Sequence, residues 1–202
     1  METKDTYKTI SKPSVGELFK DKNSKFYGYT FPVTNEDQIK THIEALKKEH
    51  YSARHWCYAY QLGTETTQYR ANDDGEPNNS AGMPIYGQIQ SFDVTNILIV
   101  VIRYYGGVKL GVGGLINAYR IGAQLALESA EIVNRTINQE FQLTFAYKNM
   151  SKVMRILKEN KVNIKNQTLE HNCLLEISVR KSNSSKILEL FNQFFGVEIG
   201  EL

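Results

Sequence analysis

The chain has 202 residues, a formal net charge of +2 and two cysteines. This length suffices for two small domains with hydrophobic cores, and neither half of the chain is a polybasic nucleic-acid arm. The two cysteines lie far apart in sequence, and neither has a second cysteine at short spacing, so the sequence indicates neither a disulfide framework nor a zinc ribbon and we expect a reducing, cytoplasmic compartment. The longest apolar run is too short to cross a bilayer, and because the first residues lack a continuous apolar core we expect no secretory signal.

The first predicted elements are a strand and a helix. Aromatic and β-branched residues from Lys25 to Val33 predict a strand. Thr34 has the hydroxyl of a helix cap and Asp37 follows at the third position, so we expect a helix to begin there.

A second group of elements surrounds two glycine-containing loops. Residues 55–62 alternate as a half-buried strand, whereas 64–80 is polar and acidic. Residues 81–89 predict a short helix or turn, 96–105 a central strand and 115–130 a buried helix.

The pattern changes near Arg135. Beyond it, alternation and helical stripes follow in the order strand, helix, strand, strand, helix, strand, ending at Ile199. This order is the ferredoxin-like βαββαβ unit. We therefore predict an α+β protein with two domains, residues 1–135 and 136–202.

The densest polar motif is an acidic turn. Asp73, Asp74 and Glu76 lie around Gly75 and are close enough in sequence to share a hard cation such as Mg²⁺. The alternative is a solvated turn in which Gly75 supplies a positive φ and Pro77 stiffens the exit. The sequence leaves both open.

A glycine-rich loop joins the central strand to the buried helix. It contains Gly106, Gly107, Gly111, Gly113 and Gly114. Backbone N–H groups at the start of the following helix favour an anion, and Arg103 and Lys109 add positive charge, so a phosphate of RNA or of a nucleotide is a natural ligand. Tyr104 is an aromatic candidate for stacking on a base. The spacing fits neither a P-loop nor a dinucleotide fingerprint, and a glycine turn that only lets the helix pack on the sheet is the alternative.

The sequence offers little for nucleophilic catalysis. His55 and Cys57 share one strand face but are too regularly spaced for an obvious dyad, and Cys57 has the apolar context of an inert thiol. Further basic candidates for a surface patch are Lys20, Lys22, Lys25, Arg54, Arg70 and Arg120.

Several motifs in one order resemble the YigZ/IMPACT family: RHWCYAY (54–60), RANDDGEP (70–77), AGMP (81–84) and NILIVVIRYYGGVKLGVGGLINAY (96–119). The resemblance covers about residues 16–130, and the second domain is similar to the one that accompanies it in bacterial members. It implies a first domain that is a β-α sandwich like the second domain of a small-subunit ribosomal protein, and a second domain similar to the last domain of elongation factor G.

The resemblance also implies a function in translation, because eukaryotic members regulate translation through protein contacts. The implied ligand-binding residues are Arg54, His55, Asp73, Asp74, Glu76, Arg103, Gly106, Gly107, Lys109, Gly113 and Gly114, to which the residue pattern adds Tyr104 as the stacking candidate. Val112 replaces a family threonine and Asn117 a family arginine, which removes a hydroxyl and one possible phosphate contact.

We therefore expect a non-catalytic binding module for RNA, the ribosome or a translation-associated protein, with no cofactor and no membrane association. Two alternatives stay open. One is a metal-dependent enzyme acting on a phosphate-containing ligand, and the other is a protein-interaction adaptor that does not bind RNA.

Overall fold

The computed structural model describes residues 5–202. The described chain divides into two compact units, which we call the N-terminal unit (Tyr7–Arg135) and the C-terminal unit (Thr136–Leu202, with residues 5 and 6). In the part of the chain that is described, no helix has the length and apolar character needed to span a bilayer.

The N-terminal unit contains eight strands and three helices. Its strands are β1 (Thr6–Ile10), β2 (Ser14–Val15), β3 (Phe19–Asp21), β4 (Ser24–Pro32), β5 (His55–Leu62), β6 (Gln68–Asn72), β7 (Ile97–Tyr104) and β8 (Ile132–Thr136). Its helices are α1 (Glu36–Glu49), α2 (Gly82–Ser91) and α3 (Gly111–Glu128). Strands β1 and β8 pair in a separate two-stranded sheet.

The main sheet has the strand order β2-β4-β7-β5-β6, with β3 also paired to β4. The pairings of β4 with β2, β3 and β7, and of β5 with β6 and β7, are antiparallel. β7 lies at the centre, and its residues from Ile97 to Arg103 are all buried. Such burial on both faces explains why this strand has a continuous apolar sequence rather than an alternating one.

Helices cover both faces of this sheet. Ile39 and Leu46 of α1 pack with Tyr29 and Val100 on one face. On the other face, α2 and α3 pack in one core with β4, β5 and β7. Alternate residues of each strand therefore face different helices, which separates the surfaces described below.

The C-terminal unit is a four-stranded sheet with two helices. Its elements are β9 (Asn138–Ala146), α4 (Met150–Glu159), β10 (Asn163–Leu169), β11 (Asn172–Arg180), α5 (Lys181–Asn192) and β12 (Val197–Glu201), with a short 3₁₀ turn at Tyr147–Asn149. The strand order is β10-β11-β9-β12, all antiparallel. This is the ferredoxin-like arrangement that the element order predicts, and the α+β class is confirmed.

One local prediction was wrong, and one strand was not predicted. The cap of α1 is Asn35, whose Oδ1 accepts the backbone N–H of Gln38 at 3.0 Å, while Gln38 Oε1 accepts the N–H of Thr34 at 2.8 Å. Asp37 thus does not close the capping pair, because the cap lies one residue later than Thr34. The polar stretch 64–80 contains an edge strand, β6, whose largely exposed residues leave no alternating apolar pattern to detect.

Candidate functional site

The acidic turn is bound into the backbone of the N-terminal unit. Asp73 Oδ1 accepts the N–H groups of Ala81 at 2.9 Å and Gly82 at 2.8 Å, and Asp73 Oδ2 accepts that of Asn79 at 2.9 Å. The N–H groups of Ala81 and Gly82 lie at the start of α2, where N–H groups have no partner inside the helix, and that of Asn79 lies just before it. Asp73 therefore acts as the cap that the local residue, Ala81, cannot supply.

Asp74 ties the same turn to β5. Its Oδ2 accepts the N–H of Trp56 at 2.7 Å, and its backbone carbonyl accepts from His55 Nδ1 at 2.9 Å. A carbonyl only accepts, so Nδ1 of His55 carries a proton. Within residues 5–202, no group of three or more His, Cys, Asp or Glu side chains has an arrangement that holds a metal ion. The carboxylates of Asp73 and Asp74 are occupied by backbone N–H groups, which does not favour the cation hypothesis for this turn.

Glu76 lies in a different environment, under the sheet face that carries α2 and α3. It is 9% exposed, and its Oε1 accepts from Arg103 Nη1 and from Tyr119 Oη, both at 2.7 Å. His55 Nε2 lies 3.9 Å from the same oxygen. A buried carboxylate requires such partners, because an unpaired one is strongly destabilising.

Arg103 is also buried, at 5% exposed. Its guanidinium carbon lies 5.7 Å from the ring centroid of Phe26 and 5.3 Å from that of Tyr105, and its Nε has no hydrogen-bond partner within the described chain. The sequence suggested a surface charge here. The structure instead shows a buried cation whose charge is balanced by Glu76.

Cys57 is buried beside this cluster. Its Sγ donates to the backbone carbonyl of Asp73 at 2.9 Å, and burial raises the pKa of the thiol well above its usual range. A thiol that stays protonated is a poor nucleophile.

The glycine loop packs against the β3–β4 hairpin. A Cβ on Gly106 would lie 2.1 Å from the backbone carbon of Asn23, so only glycine fits at this position. Gly107 has φ +85°, and Gly114 packs on the Leu110 side chain. At Gly113, by contrast, a Cβ would meet nothing within 4 Å.

A cavity of about 350 Å³ opens between this loop, the acidic turn and the start of α3. We call it the α3 cavity. Tyr105, Val112 and Leu115 form apolar walls, and Glu76, Arg103 and Lys109 supply charged groups. The structure thus brings Glu76, Arg103 and Lys109 to one cavity, whereas Asp73 and Asp74 do not line it.

A row of basic side chains crosses the end of the sheet on the face that carries α1. Lys20 is the Cα partner of Lys25, and Lys25 is the partner of Tyr104. Arg54 directly precedes the His55–Arg103 pair and is therefore next to Tyr104. Directly opposed residues share a face of a sheet, so we define Lys20, Lys25, Tyr104 and Arg54 as the cationic row.

The surroundings of the row are aromatic. The Tyr104 and Tyr27 rings lie 5.7 Å apart edge to face, and Tyr104 Oη shares a hydrogen bond with His50 Nδ1 at 2.9 Å. Lys47 of α1 lies 5.7 Å above the Trp56 ring. The sequence alone did not show that Lys20 and Lys25 lie side by side. They are aligned by the hairpin turn at Lys22 and Asn23, which both have positive φ.

Comparisons with known proteins agree with this architecture. Residues 22–127 match the family model for the Impact N-terminal domain. The chain is 30% identical over 201 residues to IMPACT family member YvyE of Bacillus subtilis, covering 98% of this chain and 92% of the relative. It is 32% identical over 160 residues to IMPACT family member YigZ of Escherichia coli, covering 78% of each. A crystal structure of a hypothetical protein superposes with a TM-score of 0.77 at 26% identity, over 98% of both chains.

Proposed function

The chain belongs to the IMPACT family, and we propose that it is a non-catalytic module that binds RNA as part of a translation-associated regulatory function in the cytoplasm. The cationic row is the observation that carries this proposal. The family resemblance supports the connection with translation, and the two buried, free cysteines are compatible with a reducing compartment.

The row has the chemistry that single-stranded nucleic acid requires. Three cations lie across adjacent strands, and no ion pair of Lys20, Lys25 or Arg54 is found among residues 5–202. Tyr104 lies among them with a half-buried ring, and we propose the exposed part of that ring as the surface on which a base stacks. Phosphates neutralise such a row, whereas solvent leaves its like charges in repulsion.

RNA binding in this proposal depends little on the acidic turn or on the buried pair of Glu76 and Arg103. Asp73 and Asp74 hold the turn in place, and the charges of Arg103 and Glu76 cancel. RNA affinity should therefore depend on Lys20, Lys25 and Arg54 more than on Arg103.

The experiment measures binding of a fluorescent single-stranded RNA to the intact chain across a salt series. The variants are Lys20→Glu and the Lys20→Glu/Lys25→Glu double change, with Lys12→Glu as an exposed control outside the row. We expect weaker binding in both row variants, and a log–log salt slope that is smaller by about 0.7 for each phosphate that the variant no longer neutralises. Unchanged affinity in the double variant contradicts the proposal.

Ribosome co-sedimentation with and without nuclease tests the connection with translation. Salt-sensitive and nuclease-sensitive pelleting that is abolished in the double variant supports the RNA-binding module. Pelleting that persists after nuclease in every variant favours the protein-interaction adaptor instead.

A further inference from the structure

The α3 cavity has the size of a small-ligand site. Its volume of about 350 Å³ lies within the usual range for ligand pockets, about 300–1,000 Å³. It faces the side of the sheet that carries α2 and α3, because Arg103 and Tyr104 point to opposite faces of β7. The cavity is therefore a different surface from the cationic row.

The start of α3 borders this cavity with uncapped backbone N–H groups. The helix has 18 residues, and no side chain caps its N-terminus. Gly111 and Val112 of the first turn line the cavity, and a Cβ on Gly111 would meet nothing within 4 Å, so this turn is open to the cavity. Free N–H groups at the positive end of a helix dipole attract an anion.

A second, independent feature points to an anionic ligand. The Arg103 side chain is only 6% exposed and lines the cavity, and its Nη1 donates to Glu76 Oε1 at 2.7 Å, so a fixed cation forms part of the wall. Lys109 lies at the same cavity and is exposed. With Glu76 neutralised by Arg103 and bound by Tyr119, the charge left for a ligand is positive.

The remaining wall suits a flat, apolar body. Tyr105 is 45% exposed and Val112 is 54% exposed, although both are large apolar side chains on the cavity wall. Exposed aromatic and aliphatic surface beside an anion site is the pattern that holds the base of a nucleotide next to its phosphate.

We propose that the α3 cavity binds a nucleotide-class ligand with a terminal phosphate. The phosphate lies at the first turn of α3 beside Lys109, and the base packs against Tyr105 and Val112. The ligand is either a free nucleoside monophosphate or the 5′-phosphorylated end of an RNA strand, since both present the same chemistry. This site goes beyond the RNA-binding function proposed above and does not use the cationic row.

The test is calorimetric titration of the intact chain with adenosine monophosphate, adenosine and inorganic phosphate. We expect the monophosphate to bind more tightly than either fragment. Equal binding of adenosine and its monophosphate, or no binding of the monophosphate at millimolar concentration, overturns the proposal.

Gly113→Glu is the decisive variant. Its carboxylate enters open space in the first helical turn, where a negative charge favours the helix but repels a phosphate. Gly87→Glu makes the same charge change at another helical glycine where a Cβ meets nothing within 4 Å. We expect at least a tenfold loss of monophosphate affinity in Gly113→Glu and in Lys109→Ala, and none in Gly87→Glu. Equal affinity in all these variants overturns the proposal.

RNA ends separate the two sources of the ligand. If 5′-phosphorylated RNA binds more strongly than 5′-hydroxyl RNA, and Gly113→Glu abolishes this difference, the ligand is an RNA end. If the monophosphate binds but the two RNAs bind equally, the ligand is a free nucleotide. Either result supports a ligand site in the α3 cavity. Loss of RNA binding in Lys20→Glu/Lys25→Glu with monophosphate binding intact shows that the two sites act independently. If only the monophosphate fails to bind, the cavity proposal fails and the RNA-binding proposal stands.

Discussion

Lys20 and Lys25 lie directly opposite each other in the β3–β4 hairpin, as exposed Cα partners. Like charges in this relation are destabilising, whereas opposite charges contribute roughly 0.2–1 kcal/mol. Lys20→Glu should therefore raise the free energy of unfolding by up to about 1 kcal/mol while it weakens RNA binding. Urea unfolding of this variant and of Lys12→Glu measures the first effect.

Lys20→Glu is thus expected to increase stability and to decrease RNA affinity, and this combination makes the prediction specific. A folding defect cannot explain lower RNA affinity in a more stable protein. If Lys20→Glu is less stable than the unmodified chain, the side chains of Lys20 and Lys25 are not close enough to repel each other as proposed.

The buried Arg103–Glu76 pair should couple strongly. Arg103→Met leaves the Glu76 carboxylate buried with Tyr119 as its remaining close partner, and we expect a loss of about 3–5 kcal/mol in unfolding free energy. Glu76→Gln combined with Arg103→Met removes both charges and should recover part of that loss. A double-mutant cycle by urea denaturation measures the coupling energy between the two residues. If the stability losses of the two single variants simply add in the double variant, Arg103 and Glu76 do not interact as described.

The fold was largely predictable from the sequence because its core elements have strong periodicity. Apolar residues 97–102 identify the central strand, and alternation in the C-terminal unit gives the ferredoxin-like order. The edge strands β1, β6 and β8 were missed. Their mostly polar, partly exposed residues lack a periodic signal, and only their pairing partners define them.

The candidate site was predictable only in part. The residue types around the glycine loop indicated an anion site, and Glu76, Arg103 and Lys109 do share a cavity. The burial of Arg103, its pairing with Glu76, and the alignment of Lys20 with Tyr104 depend on strand register across the sheet. A single sequence without this register does not show which charges meet and which cancel.

Asp73 should contribute to stability through the start of α2. Asp73→Ala removes the acceptor of three backbone N–H groups, and we expect a loss of about 1–2 kcal/mol, as for other helix caps. Asp73→Asn keeps one oxygen and should lose less. Thermal or urea unfolding measures both, with the exposed Glu44→Ala as a control that should change stability little.

Close packing of α3 on β4 predicts a contrast between two glycines. A Cβ on Gly28 would lie 2.2 Å from the carbonyl oxygen of Gly122, so Gly28→Ala should destabilise the N-terminal unit by more than about 2 kcal/mol. Gly87 in α2 has open space, and Gly87→Ala should stabilise by about 0.5–1 kcal/mol through helix propensity. Equal stability of the two variants in urea unfolding contradicts this packing.

Tyr29 predicts a decline of stability at alkaline pH. Its hydroxyl shares a hydrogen bond with His50 Nε2 at 2.7 Å, and burial, followed by the charge of Glu49, raises its pKa from 10.0 to about 12. Below the pKa of Tyr29 in the unfolded chain, the hydroxyl is protonated in both the folded and the unfolded state, and its contribution to the free energy of unfolding is complete. As the pH rises from about 10 to about 12, the unfolded chain loses the proton first, so the folded state loses stability.

Comparison with Tyr29→Phe isolates this group, because other tyrosines titrate in the same range. The slope of unfolding free energy against pH should be shallower in Tyr29→Phe by a difference of up to one proton. Tyr51→Phe is the matched control, since Tyr51 is 83% exposed and should leave the slope unchanged. Urea unfolding between about pH 9 and 12 measures the slopes, and identical slopes in Tyr29→Phe and the unmodified chain contradict a raised pKa at Tyr29.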